Sequence, residues 1–133
     1  ADVHLLTPDA VAAEGRDRVS VIGASGAGAD IHVLDALASC DAIITKPGYG
    51  TFAEAACGGI PVLYVPRGDW PEEPYLVDWL AERVPSRAVS VQDFAAGRIA
   101  GPLQELLDTG PVTPVPATGV EEAVALLAGY LRG

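Results

Sequence analysis

Residues 41–67 read DAIITKPGYGTFAEAACGGIPVLYVPR, and the order of the pieces in that stretch leaves few folds open. An apolar run ends on a Pro-Gly turn, a small-residue segment closes on paired glycines, and a second apolar run follows. Each run is continuous rather than alternating, which is the pattern of a strand covered on both faces. Between them Thr51 to Gly59 reads as a short helix, with glycine at its C′ position. Strands that alternate with helices in this way indicate parallel pairing.

The rest of the chain continues the alternation. VHLLTP (Val3 to Pro8) and RVSVIGA (Arg18 to Ala24) read as strands, with a helical turn or two at AVAAEG between them. The second strand leaves into the glycine-rich loop SGAGAD. Asp30 to Cys40 places Ile31, Leu34 and Ala38 at helical spacing. EEPYLVDWLAERV is an amphipathic helix with Leu76, Trp79, Leu80 and Val84 on one side. AVSVQDF is expected to be a last short strand, followed by a helix at IAGPLQELLDT. Gly110 to Gly119 is a Pro/Thr/Gly linker, extended rather than folded. The chain closes on a helix expected to turn Val120, Val124, Leu127 and Leu131 inward.

The expectation is one α/β domain over residues 1–133, doubly wound, with a mainly parallel sheet and helices on both faces. No repeat of solenoid period is visible. In such sheets ligands sit in the crevice beyond the carboxyl ends of the strands. TKPGYGT and VPRGDWPEE are two consecutive strand ends, so both should open on the same edge.

Length and charge narrow the function. A chain of 133 residues can bury a core of its own, and with half its residues apolar and 20% charged it has the composition of a soluble globular protein. The formal charge of −10 argues against nucleic acid, which needs a basic footprint, and against anionic membrane surfaces. A polyanionic ligand would need local compensation from Lys46, Arg67 and backbone N–H groups. No segment approaches the ~18 apolar residues of a membrane span. The N-terminus lacks the basic n-region of a signal peptide, so a cytoplasmic protein is expected. The opening ADVHLL enters a strand almost at once, which reads as a piece of a longer chain. Cys40 and Cys57 are the only cysteines; they lack C-x-x-C spacing and are expected to be buried, reduced thiols. No metal cluster and no Ser/His/Asp set is found, and His4 and His32 are read as structural.

GYGTFAE carries two readings. In the first, Thr51 and Glu54 form the S/T-x-x-E capping box, with Thr51 as the N-cap, and Gly48 and Gly50 merely allow a sharp turn. In the second, the glycines let a phosphate approach the unpaired N–H groups of a helix N-terminus, and Thr51 adds a donor. Glu54, one turn further on, would then accept from the two hydroxyls of a ribose. In this reading the SGAG loop at Ser25 to Gly28 adds further amides, but no Gly-Lys-Ser/Thr follows, so it is not a Walker A loop.

With these residues in view, DAIITKPGYGTFAEAACGGIPVLYVPR resembles the signature of the nucleotide-sugar-binding C-terminal domain of GT-B glycosyltransferases, the family 28 enzymes above all. EEPYLVDWLAE is more similar still to the glycosyltransferase-like region of L-arabinokinase-type proteins. The resemblance is best from about Asp30 to Arg83. It implies a Rossmann-like half of a GT-B fold. It implies that Gly48, Gly50 and Thr51 receive the donor diphosphate and that Glu54 binds the ribose. Glu72 and Glu73 stand where the family holds the donor sugar, usually with glutamine, asparagine or aspartate; a solvated helix start is the other reading of this pair. Lys46 and Arg67 are read as phosphate contacts or as surface salt-bridge partners, and Trp70 and Tyr75 as stacking or packing residues.

A GT-B enzyme has two such domains, and the acceptor-binding half, where a catalytic base usually sits, has no counterpart here. The implied function is therefore the donor-binding half of a glycosyltransferase. Its ligand would be a nucleotide sugar of the UDP type, which is a substrate, so no cofactor is implied. Its partner would be an N-terminal acceptor-binding domain, without which the chain is expected to be inactive. The alternatives are an interaction or regulatory module that keeps the half-fold without its ligand, and a different α/β domain whose glycine-rich turns bind a phosphate.

Overall fold

Continuous apolar runs joined by helices do pair in parallel here. The computed structural model describes residues 5–7, 19–21 and 33–131. The chain divides into two compact units, residues 1–40 and 41–133. In the first, β1 (Leu5–Thr7) and β2 (Val19–Val21) form a parallel pair with Leu5 opposite Val19. Helix α1 (Val33–Ala38) follows, with Ala36 buried. The expected helical turns at residues 10–15, the SGAG loop, His4 and His32 lie outside the described residues.

The second unit is built on a three-stranded parallel sheet in the order β3-β4-β5, with β3 at Ile43–Thr45, β4 at Val62–Tyr64 and β5 at Ser86–Ala88. Thr45 lies opposite Tyr64, and Tyr64 opposite Ala88, so the three strands end level on one edge. All three residues of the central strand β4 are buried. Successive side chains on a strand point to opposite faces, and β4 uses both. Leu63 packs in a cluster with Leu106, Leu103 and Val89 on one side. Tyr64, on the other, meets the ring of Phe52 edge-on at 6.0 Å. Leu103 and Leu106 belong to helix α5 (Ala100–Leu107), whereas Phe52 belongs to helix α2 (Tyr49–Gly58). The sheet is therefore covered by helices on both faces, as an α/β fold requires.

Helix α2 is held down by Phe52, Ala55 and Ala56, all buried. Burying Phe52 alone is worth roughly 1.5–3 kcal/mol. At its end Gly59 has φ +64°, the left-handed conformation that favours glycine, and the Ile60 N–H donates back to the Ala55 carbonyl at 2.9 Å. The segment 110–118 has no regular structure, yet it is strapped to this helix end. The Val115 N–H donates to the Ala56 carbonyl at 3.0 Å, and a Cβ on Gly59 would lie 2.7 Å from the Val112 carbonyl oxygen. Glycine at position 59 is thus required twice over.

Helix α3 (Glu73–Ala81) buries Leu76 and Leu80, and Val84 is buried just beyond it. Trp79 departs from the expected apolar stripe: it is half-buried, with the Arg83 guanidinium stacked 4.2 Å from its ring centre. The expected strand at AVSVQDF is corrected. The strand ends at Ala88, and Val91–Ala95 is a short helix, α4. Ser90 caps α4 by accepting from the Asp93 N–H at 3.0 Å, a local signal that overrides the strand preference of Val91 and Phe94.

Helix α6 (Gly119–Tyr130) forms as expected, but its apolar side chains do not face inward. Val120, Val124, Leu127 and Leu131 are all at least 60% exposed, because periodicity predicts a helix face and not the surface that covers it. Cys40 is half-buried and Cys57 exposed, neither in a disulfide, rather than buried as expected.

Candidate functional site

The first strand end is the β3–α2 turn. Pro47 is fully buried and anchors it. Gly48 follows in an extended conformation, φ −167° and ψ 138°, and serves as the N-cap of α2 without any side-chain hydrogen bond. Its carbonyl accepts the Phe52 N–H at 3.0 Å, closing the first helical turn. The helix therefore starts at Tyr49, and the amides of Tyr49, Gly50 and Thr51 have no carbonyl behind them within the helix. The capping box is corrected: Thr51 is the third residue of α2 and Glu54 the sixth, so neither can cap it. The extended backbone after Pro47 lets the helix begin before the Thr-x-x-Glu pattern.

Neither Gly48 nor Gly50 has a positive φ. A Cβ on Gly50 would meet nothing within 4 Å, and one on Gly48 only the Lys46 carbonyl oxygen at 4.0 Å. Among the described residues, then, neither conformation nor packing requires glycine at these positions. Gly50 costs the helix up to ~1 kcal/mol relative to alanine. What the two glycines do is leave the end of α2 bare. Glu54 lies four residues beyond Gly50, on the same helix face. It is half-buried, and neither it nor Thr51 has a side-chain partner among the described residues.

The second strand end is the β4–α3 loop. The Arg67 backbone N–H donates to Glu73 Oε2 at 2.8 Å, which ties the two ends of the loop together. The Arg67 guanidinium lies 4.9 Å from the centre of the Trp70 ring. Trp70 in turn meets Tyr49 edge-on, with ring centres 5.5 Å apart. Tyr49 Oη donates to Glu72 Oε2 at 2.6 Å, so residues from the two loops are directly bonded. That hydrogen bond raises the Tyr49 hydroxyl above its ordinary pKa, with desolvation and the Glu72 charge adding to the effect. The two strand ends open on one edge and touch, as their order in the sequence predicts.

Lys46 and Arg67 are exposed and form no ion pair among the described residues. Their positive charges stand beside the two loops, with the Arg67 guanidinium over the Trp70 ring. Trp70 is half-buried in the Arg67–Tyr49 stack, whereas Tyr75 is 79% exposed. The structure thus joins Glu72, Glu73, Arg67 and Trp70 to the α2 turn and leaves Tyr75 outside the cluster. Tyr49 is the residue that the sequence reading missed. Its place between two glycines was the available signal, since a large side chain kept there needs a use. Among the described residues no group of three metal-ligating side chains occurs, and no helix is long and apolar enough to cross a membrane.

Bare amides, two exposed cations and carboxylates on one edge supply donors for an anion and acceptors for hydroxyl groups. The chain is 26% identical over 102 residues to an uncharacterized glycosyltransferase of Methanopyrus kandleri. Over those residues the chain is similar to that glycosyltransferase. The match covers 75% of this chain but 30% of the relative, so the chain spans about a third of that protein's length. No family model and no solved structure matches it.

Proposed function

We propose that this chain is the donor-binding half of a GT-B glycosyltransferase of the family 28 type, taking a nucleotide sugar such as a UDP-sugar. The observation that carries the reading is the uncapped N-terminus of α2, kept bare by two glycines that nothing among the described residues requires. A diphosphate there accepts from the amides of Tyr49, Gly50 and Thr51, with the helix dipole adding to the attraction. The Thr51 hydroxyl supplies a further donor, and Lys46 and Arg67 offset the ligand's charge in a chain that is otherwise strongly acidic. Glu54, on the Gly50 face of the helix and without a side-chain partner among the described residues, accepts from the ribose hydroxyls. The Glu72–Glu73 pair is the side of the site assigned to the donor sugar, with Glu73 already engaged by the Arg67 N–H.

The remaining length of the relative leaves room for an acceptor-binding domain, and in this reading that domain completes the cleft and supplies the catalytic base. Bound donor alone does not react; transfer needs both substrates positioned and the leaving diphosphate stabilised.

Calorimetric titration of UDP into the chain and into Glu54→Ala tests the assignment. Glu54 has no side-chain partner among the described residues, so the variant should keep its stability to within ~0.5 kcal/mol. Its UDP affinity should fall by about tenfold, the loss of hydrogen bonds to a charged acceptor. Equal affinity in both proteins removes Glu54 from the ribose. No heat in either removes the nucleotide.

A further inference from the structure

Glu72 and Glu73 are adjacent in sequence and alike in chemistry, but the structure gives them different work. Glu73 bonds backward within its own loop, accepting the Arg67 N–H six residues earlier. That bond is what holds the β4–α3 loop closed at its base. Glu72 instead accepts from Tyr49, the first residue of α2 and 23 positions away. Tyr49 is held in turn by the edge of Trp70, and Trp70 by the Arg67 guanidinium. One oxygen of the Glu72 carboxylate is thereby fixed beside the bare helix end, while the other has no partner among the described residues.

We propose that Tyr49 is a positioning residue: its hydroxyl aims the Glu72 carboxylate at a hydroxyl group of the donor's sugar, and Glu73 takes no part in sugar recognition. The proposal rests on the donor-binding reading above and assigns the sugar contact within it. A flexible, exposed glutamate contributes little to recognition, because ordering its side chain offsets the bond it makes. Tethered by a short hydrogen bond to a ring that is 59% exposed but braced edge-on by Trp70, it has less freedom to lose when the ligand arrives. The raised pKa of the Tyr49 hydroxyl is consistent with this, since it keeps the phenol protonated and donating well above neutral pH. In the donor-binding reading the diphosphate sits at the amides of Tyr49 to Thr51, and the sugar attached to it is what the carboxylate held by Tyr49 would meet.

The experiment compares UDP with UDP-glucose, UDP-galactose and UDP-N-acetylglucosamine on the full chain, by calorimetry, in wild type, Tyr49→Phe, Glu72→Gln and Glu73→Gln. The sugar that adds most to wild-type affinity over UDP is the probe. In Tyr49→Phe the affinity for UDP should stay within about twofold, while the increment due to the sugar falls by about tenfold, one charge-assisted hydrogen bond. Glu72→Gln should lose the same increment, and Glu73→Gln should keep it even where its loop is less stable to urea. An increment unchanged in Tyr49→Phe overturns the proposal, and so does equal weakening of UDP and UDP-sugar, which would make Tyr49 a strut between loops. Tighter binding of the UDP-sugar by Tyr49→Phe also overturns it, since the bond would then compete with the ligand. If wild type binds UDP but no sugar adds affinity, the sugar contact is wrong and the nucleotide reading stands. If wild type does not bind UDP, both fail together.

Discussion

Helix α4 begins on Ser90, whose oxygen accepts the Asp93 N–H at 3.0 Å and whose hydroxyl donates to Asp93 Oδ2 at 2.6 Å. Helix α2 begins on Gly48 with no side chain over its end. Both follow strands of the same parallel sheet, so both N-termini face the same edge. The difference lies in what holds each helix. The five residues of α4 bury no side chain, so its cap is a large part of what keeps it helical. The ten residues of α2 bury Phe52, Ala55 and Ala56, so α2 can do without a cap and leave its amides unused. An anchored helix can leave its end vacant, and that vacancy is where function is proposed.

The comparison breaks most visibly at the anchor. Phe52→Ala should cost about 3–5 kcal/mol in urea unfolding, because a fully buried ring is lost beside Tyr64. A loss below ~1 kcal/mol would mean that α2 is not held as described. Next in size is a side chain placed over the bare end. At Gly50 a Cβ meets nothing within 4 Å among the described residues, so Gly50→Leu should leave stability unchanged or raise it by up to ~1 kcal/mol. The same change should weaken UDP binding by about 1–3 kcal/mol, the cost of an intruding side chain.

The hydroxyls of the two turns sharpen the contrast. Ser90→Ala removes a working cap and should destabilise the protein by about 1 kcal/mol. Thr51→Ala removes none, and its effect on stability should stay within ~0.5 kcal/mol while UDP affinity falls. Equal destabilisation by the two would restore the capping box and undo the distinction.

The smallest expected effect is in acid. Asp93 has its pKa lowered by the Ser90 hydroxyl first and by Arg98 second, which donates to Asp93 Oδ1 at 2.8 Å. A carboxylate held below its unfolded value contributes stability at neutral pH and above. That contribution disappears as pH falls from the ordinary aspartate range through the lowered value. Stability measured against pH should show the step in wild type and a smaller one in Ser90→Ala.

How far these features were legible in the sequence differs from place to place. The apolar runs around Ile43 and Val62 announced parallel strands because a fully covered strand has no other pattern, and Gly59 announced the end of α2 because a left-handed residue is needed there. The start of α2 was misread. Thr51 and Glu54 match a capping box letter for letter, and only the backbone after Pro47 shows that the helix begins before them. VQDFA was misread for the opposite reason. Its side chains favour a strand, but a short-range cap at Ser90 decided the matter. The site's outline was visible as two glycine-rich strand ends, yet the Tyr49–Glu72 bond that joins them spans 23 positions, and no local pattern encodes it. In α6 the spacing of Val120, Val124 and Leu127 revealed an apolar face, whereas what covers that face is a property of the assembled protein.

The most direct test is an NMR titration of the labelled chain with UDP, following the backbone amides of both turns in one experiment. A vacant, functional end at α2 predicts saturable shifts at Tyr49, Gly50 and Thr51, with Val91, Gln92 and Asp93 unmoved. Silence at all six amides at millimolar UDP, or equal shifts at the two helices, would contradict it.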